Sequence, residues 1–197
     1  EEVLLDVNAM AEGHEYYSAT GFAVSLDNNL MAFAVDTVSR RQYDIYVKDL
    51  RSGQIFKDKI SLTDGDPVWA ADNKTFFYTA KNPVTLLSEK ILRHTLGTDA
   101  SSDVIVYEEK DKTNYISVGR TRSDKFITIS SGSTLTSEVF TIDASRPTDA
   151  PKLFQQRQKD VLYYIDHAND RFYIQTNHGA KNFMLVTAEE NATEFAN

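Results

Sequence analysis

The chain contains no cysteine. Disulfide frameworks, cysteine-ligated zinc, iron–sulfur clusters and a cysteine nucleophile are thereby excluded together. The same absence fits a cytoplasmic protein and leaves the periplasm open. Glycine and proline are scarce, at 8 and 4 of 197 residues, so collagen-like and low-complexity chains are excluded. Excess positive charge is missing too: 21 Lys and Arg face 29 Asp and Glu, a formal charge of −8. Binding a nucleic-acid backbone needs clustered cations, so no nucleic-acid partner is expected. The longest apolar run, Leu30–Val35, falls far short of the roughly 20 residues that span a bilayer, so no membrane partner is expected. Glu1-Glu2-Val3 offers no initiator Met, basic flank or apolar core of a signal peptide, and natural sequence upstream is expected.

Aromatic residues, by contrast, are plentiful: 10 Tyr, 11 Phe and 1 Trp. Together with Val, Ile and Thr they favour pleated, half-buried surfaces, and thus β structure. A repeat organises them. An Asp/Asn-rich turn stands before an apolar strand four times: Asp27-Asn28-Asn29 before Leu30–Val35, Asp72-Asn73-Lys74 before Thr75–Thr79, Asp124-Lys125 before Phe126–Ile129, and Asn169-Asp170-Arg171 before Phe172–Gln175. Asp27, Asp72, Asp124 and Asp170 are spaced by 45, 52 and 46 residues. Asp and Asn tolerate left-handed backbone and bond their own main chain, which closes tight hairpins.

Each turn joins a leading strand (Phe22–Leu26, Val68–Ala70, Tyr115–Gly119, Leu162–Ile165) to the strand behind it. A third strand follows at Tyr43–Leu50, Lys90–Leu96, Glu138–Ile142 and Asn182–Thr187. A fourth follows in the first three units, at Gln54–Ile60, Val104–Glu108 and Leu153–Gln156. Four short antiparallel strands at this period describe a β-propeller blade. The expected fold is all-β, a propeller fragment of about four four-stranded blades at 21–62, 67–109, 114–157 and 161–188. Residues 1–20 form a lead-in and the last blade is incomplete. A self-contained sandwich or four-bladed propeller is the alternative. Helical signal is weak, with Thr85–Lys90 the best candidate for a turn.

Candidate chemistry is sparse. No Gly-x-Ser-x-Gly elbow occurs, and Ser131-Gly132-Ser133 reads as a hairpin turn. His14, His94, His167 and His178 have no zinc-site spacing, and His94 reads as a packed strand residue. Asp64-Gly65-Asp66 lacks the remaining ligands of a calcium loop and reads as a turn before Pro67. Asn191-Ala192-Thr193 fits a glycosylation triplet. Ser39-Arg40-Arg41-Gln42 reads either as a solvated turn or salt bridge, or as a carboxylate-recognition site. No catalytic residue, metal or cofactor is expected from this chain.

Several segments carry a more specific signal. Ser39-Arg40-Arg41-Gln42-Tyr43, Lys48-Asp49-Leu50, Val68-Trp69-Ala70 and Lys81-Asn82-Pro83-Val84-Thr85-Leu86-Leu87 resemble the oligopeptidase B (protease II) family. So do Arg93-His94-Thr95-Leu96-Gly97-Thr98, Val106-Tyr107-Glu108-Glu109-Lys110-Asp111, Thr136-Ser137-Glu138-Val139 and Lys181-Asn182-Phe183. The family belongs to the prolyl oligopeptidase group of serine peptidases. The resemblance implies a seven-bladed propeller covering an α/β-hydrolase domain that lies beyond this sequence and cleaves short peptides after Lys or Arg. The propeller then acts as steric gate and docking surface. Ala11-Glu12-Gly13-His14-Glu15-Tyr16-Tyr17 is similar to the family's segment before the first blade, which makes Glu15 the candidate for an interdomain salt bridge. Implied partners are that hydrolase domain and short basic peptides, and open sheet edges would favour self-association. A stand-alone propeller that binds a protein partner is the other reading.

Overall fold

The computed structural model describes residues 2–191. Ala192 and Thr193 of the glycosylation triplet, Glu1 and Asn197 lie outside the described residues. After helix α1 (Val7–Ala11) the chain is built from strands in antiparallel ladders. The first four are β1 (Ser18–Val24), β2 (Leu30–Asp36), β3 (Tyr43–Asp49) and β4 (Ile55–Thr63). The second group is β5 (Val68–Trp69), β6 (Thr75–Lys81), β7 (Ser88–Thr95) and β8 (Val104–Glu108). The third is β9 (Tyr115–Arg120), β10 (Phe126–Gly132), β11 (Ser137–Asp143) and β12 (Lys152–Gln155), and the fourth β13 (Tyr163–Ala168), β14 (Arg171–Thr176) and β15 (Met184–Glu189). The fold is all-β, a partial β-propeller. One pairing, Thr63 with Ala80, joins the first two blades into a continuous sheet.

The Asp/Asn turns take left-handed backbone where expected: Asn28, Asn73, Asp124, Asn169 and Asp170 all have positive φ. Asp27 and Asp72 close their turns by accepting the amides of Asn29 (3.1 Å) and of Lys74 and Thr75 (3.0 and 2.8 Å). In the third turn Ser123 has that accepting role, toward Lys125 N–H. Asp124 therefore corresponds to Asn28 and Asn73, one residue off the alignment of aspartates.

Strand burial explains the apolar runs. In β2, Ala32 and Ala34 pack into a core with Ile45, Ile60, Trp69 and Phe76 between the first two blades. Met31, Phe33 and Val35 face the other way, under Leu5, Met10 and Tyr17 of the lead-in. Covering both faces turns a period-two pattern into an unbroken hydrophobic stretch. The same division places Phe76 and Tyr78 of β6 in the first core and Phe77 in a second, with Ile91, Ile127 and Ile129. A third core gathers Val139, Phe154, Tyr163, Phe172 and Ile174 between the last two blades.

Two local expectations are corrected. The expected helical turn at Thr85–Lys90 is a loop running into β7. Asn82 Oδ1 accepts the amides of Val84 and Thr85 (2.9 and 3.0 Å), and Leu86 is left-handed at φ 60°. Among the described residues the one α-helix is α1, whose Asp6 caps Ala9 N–H at 3.0 Å. The first strand starts at Ser18 rather than Phe22, because a bulge shifts the register between Thr20 and Ala23 and carries the ladder past Gly21.

Candidate functional site

The antiparallel order gives the molecule two loop faces. One carries the Asp/Asn hairpins. The other, here termed the connector face, carries the β2–β3, β6–β7 and β10–β11 loops with the links between blades. Glu15 lies just before β1, whose first residue Ser18 pairs with Asp36 at the end of β2, so Glu15 belongs to the connector face. Its side chain is exposed and enters no ion pair among the described residues. Beside it runs the Ser39-Arg40-Arg41-Gln42 turn. It is the solvated turn of the readings above, and the buried Asp36 carboxylate shapes it by accepting four main-chain amides, of Val38, Ser39, Arg40 and Arg41, at 2.7–3.1 Å. Asp36 thus organises the turn, and both guanidinium groups remain exposed without an ion pair among the described residues.

Further round the face, Glu109 in the β8–β9 connector ties the second blade to the third. Its carboxylate accepts from Tyr107 OH (3.0 Å), Asp111 N–H (2.9 Å) and the Ser131 hydroxyl, with Arg157 at 3.5 Å. Burial pushes its pKa up, but these donors and the Arg157 charge outweigh burial and hold the carboxyl below its ordinary value. A lowered carboxyl stabilises the fold above the unfolded-state pKa, and that contribution is lost as pH falls through the folded value. Glu109→Gln is therefore expected to cost about 1–3 kcal/mol at pH 7. It should also make urea stability fall less steeply than in the unaltered protein below about pH 4. Parallel acid limbs for the two proteins would refute this.

Two of the histidines are buried. His94 is fully buried, with Nδ1 2.7 Å from Asp103 Oδ1 and its ring against Phe76, as its strand position suggested. His167 was not singled out by sequence. Its Nδ1 lies 2.8 Å from Ser123 Oγ and its Nε2 2.8 Å from Glu190 Oε1. These are the residue types of a hydrolytic triad in inverted order, since the nucleophile of a triad bonds Nε2 and the carboxylate holds Nδ1. Ser123 N–H also donates to His167 O at 3.0 Å, so the arrangement clasps the third blade to the fourth. Ser131-Gly132-Ser133 ends β10 and opens its loop, with Ser131 committed to Glu109 and Arg157. In Asp64-Gly65-Asp66, Asp64 takes Lys81 (2.8 Å) and the Ser88 hydroxyl. Among the described residues no group of three or more His, Asp or Glu could hold a metal ion. No helix among them is long and apolar enough to cross a membrane.

Repeated antiparallel blades with apolar cores between neighbours define a β-propeller domain. The model of the prolyl oligopeptidase N-terminal β-propeller domain matches residues 1–196. The chain belongs to the prolyl oligopeptidase family, as its propeller portion. It is 45% identical to dipeptidyl aminopeptidase BI of Pseudoxanthomonas mexicana over 98% of its length and 27% of that relative. It is 34% identical to protease 2 of Moraxella lacunata, over 97% of its length and 28% of the relative. Oligopeptidase B from Leishmania major superposes with a TM-score of 0.90 at 31% identity, covering 98% of this chain and 27% of that one. The chain thus spans about a quarter of the relatives it matches.

Proposed function

We propose that this propeller is the non-catalytic gate and docking surface of a serine oligopeptidase whose α/β-hydrolase domain lies elsewhere in the same polypeptide. The observation that carries this reading is the family match over residues 1–196, in a chain that spans only 27% and 28% of the two curated relatives. On this reading the chain contributes four blades of a seven-bladed ring, the last of them incomplete here. Its connector face meets the hydrolase domain, and folded proteins are kept from the active site. A cytoplasmic location and substrates cut after Lys or Arg belong to the same proposal. The name of the first relative adds a second specificity to test, removal of amino-terminal dipeptides.

Glu15 is the proposed interdomain contact, because it is charged, exposed and unpaired where a facing domain would supply its partner. The test uses the full-length polypeptide. Oligopeptide reporters should be cleaved and a folded protein left intact. An amino-blocked Lys or Arg reporter separates endopeptidase action from dipeptide removal, which needs a free amino terminus. Glu15→Gln should lower kcat/KM roughly fivefold or more. It should leave the melting temperature unchanged, since Glu15 enters no ion pair among the described residues. Cleavage of no reporter would overturn the peptidase reading and favour a stand-alone interaction module. Unchanged kinetics for Glu15→Gln would remove only the gating contact.

A further inference from the structure

His94 lies near the hairpin-face end of β7, inside the seam between the first and second blades. Its Nδ1 faces Asp103 Oδ1 at 2.7 Å, and Asp103 Oδ2 accepts the Tyr78 hydroxyl at 2.8 Å. An ionised carboxylate only accepts, so Nδ1 carries the ring proton. The other nitrogen, Nε2, is buried and has no hydrogen-bond partner among the described residues. Asp58 Oδ1 stands 3.7 Å from it, on β4 of the first blade, in a side chain only 9% exposed. The same oxygen accepts the Gly97 amide of the second blade at 3.1 Å. Among the described residues no other cation pairs with Asp58 or Asp103. Lys57 and Lys59 alternate with Asp58 along β4 and face away from the ring, Lys59 toward Asp44. Arg93 donates to Pro147 O across the next seam, and Asp99 accepts the Ser101 amide.

With the ring neutral, the Nε2 lone pair meets a carboxylate, so two acceptors face one another across the seam. Two largely buried carboxylates are then left without a cation, which is costly. A second proton makes Nε2 a charged donor beside Asp58 and gives both carboxylates their counter-charge. We propose that His94 is a pH-operated latch between the first two blades. It is closed when the imidazolium bridges Asp103 and Asp58, and open when the ring is neutral. The contact to Asp58 exists only while the seam is shut, so the shut seam binds the proton more tightly than the parted one. The latch therefore contributes fully in acid and is lost as pH rises. It asks nothing of the peptidase reading, since every group in it belongs to this domain.

The test is hydrogen–deuterium exchange of the full-length polypeptide, read as the protection factor of the Gly97 amide at about pH 6 and about pH 9. The protection factor corrects for the intrinsic pH dependence of exchange. In the unaltered protein it should fall about tenfold over that range. His94→Gln has no titrating ring and should give one value at both. Asp58→Asn should abolish or reverse the fall, because its amide can donate to the neutral ring. An Asp58 that merely supported the strand would instead lower protection equally at both. The Ala71 amide, bonded to Ala144 O at the next seam, is the control and should hold a constant protection factor. Asp58→Asn, nearly identical in shape, supplies the answer if His94→Gln folds poorly. Constant protection at Gly97 in the unaltered protein, a fall that survives either substitution, or a parallel fall at Ala71 would overturn the latch.

Discussion

Trp69→Ala is expected to lower the unfolding free energy by about 3–5 kcal/mol, the range for emptying a large aromatic site in a core. Trp69 is 1% exposed and meets Phe76 edge-on, with ring centroids 5.2 Å apart. Across the core stand Ala32 and Ala34, whose side chains cannot reach into the space the indole would leave. The loss is also one of connectivity. Trp69 Nε1–H donates to Ala23 O at 2.8 Å, which binds the second blade to the innermost strand of the first. Trp69→Phe keeps most of the volume and forfeits the donor, so it should cost about 1–3 kcal/mol. Because Trp69 is the single tryptophan, the urea transition should be followed by circular dichroism. A loss below about 1 kcal/mol for the alanine variant would contradict the packing described.

Gly21→Ala should be at least as damaging. Gly21 sits in the bulge of β1 at φ +63°, and a Cβ there would stand 1.7 Å from Gly65 O and 2.9 Å from Gly65 C. Both are main-chain atoms of the turn between blades. That turn cannot retreat: Gly65 has φ +85°, and its own Cβ direction points at the Tyr43 ring 2.8 Å away. Left-handed backbone alone costs a non-glycine residue about 1–2 kcal/mol. Overpacking adds about 1–3 kcal/mol, so the expected loss is roughly 3 kcal/mol or more, or failure to accumulate folded protein. Gly13→Ala is the control. Its φ of +83° is just as unusual, yet nothing lies within 4 Å of its Cβ position, so it should cost only the backbone share of about 1–2 kcal/mol. Equal losses at the two positions would show that the close approach of Gly21 to Gly65 is not what matters.

What was legible in the sequence followed from local rules. Hairpin turns announce themselves through Asp and Asn, and strands through runs such as Thr75–Thr79, so the repeat could be read before any contact was known. What was hidden depended on partners distant in the chain. The bulge at Gly21 answers to Gly65, not to its neighbours in sequence. Helix α1 spans only Val7–Ala11, too short to show a period, although Asp6 as its cap was a usable signal. The Arg40-Arg41 pair drew attention by charge, while the residue that shapes that loop is Asp36, an ordinary strand-end carboxylate until four amides converge on it. Asn114 was unremarkable for the same reason. Its side chain is buried only because the connector folds it inward. Glu15 was reached through resemblance alone, and composition or spacing would not have separated it from the other exposed carboxylates.

The seams between blades are unequal. The first is crossed by main-chain pairing of Thr63 with Ala80 and by Asp64 N–H to Thr79 O at 3.0 Å. The second and third have no shared ladder among the described residues and are held by isolated bonds, such as Ala71 N–H to Ala144 O and Ser123 N–H to His167 O. Plates joined in series by springs of different stiffness do not spread evenly, because displacement collects at the softer joints. The first two blades should therefore move as one body, with thermal breathing concentrated further along the ring. The first of those softer joints is the one that contains Asn114.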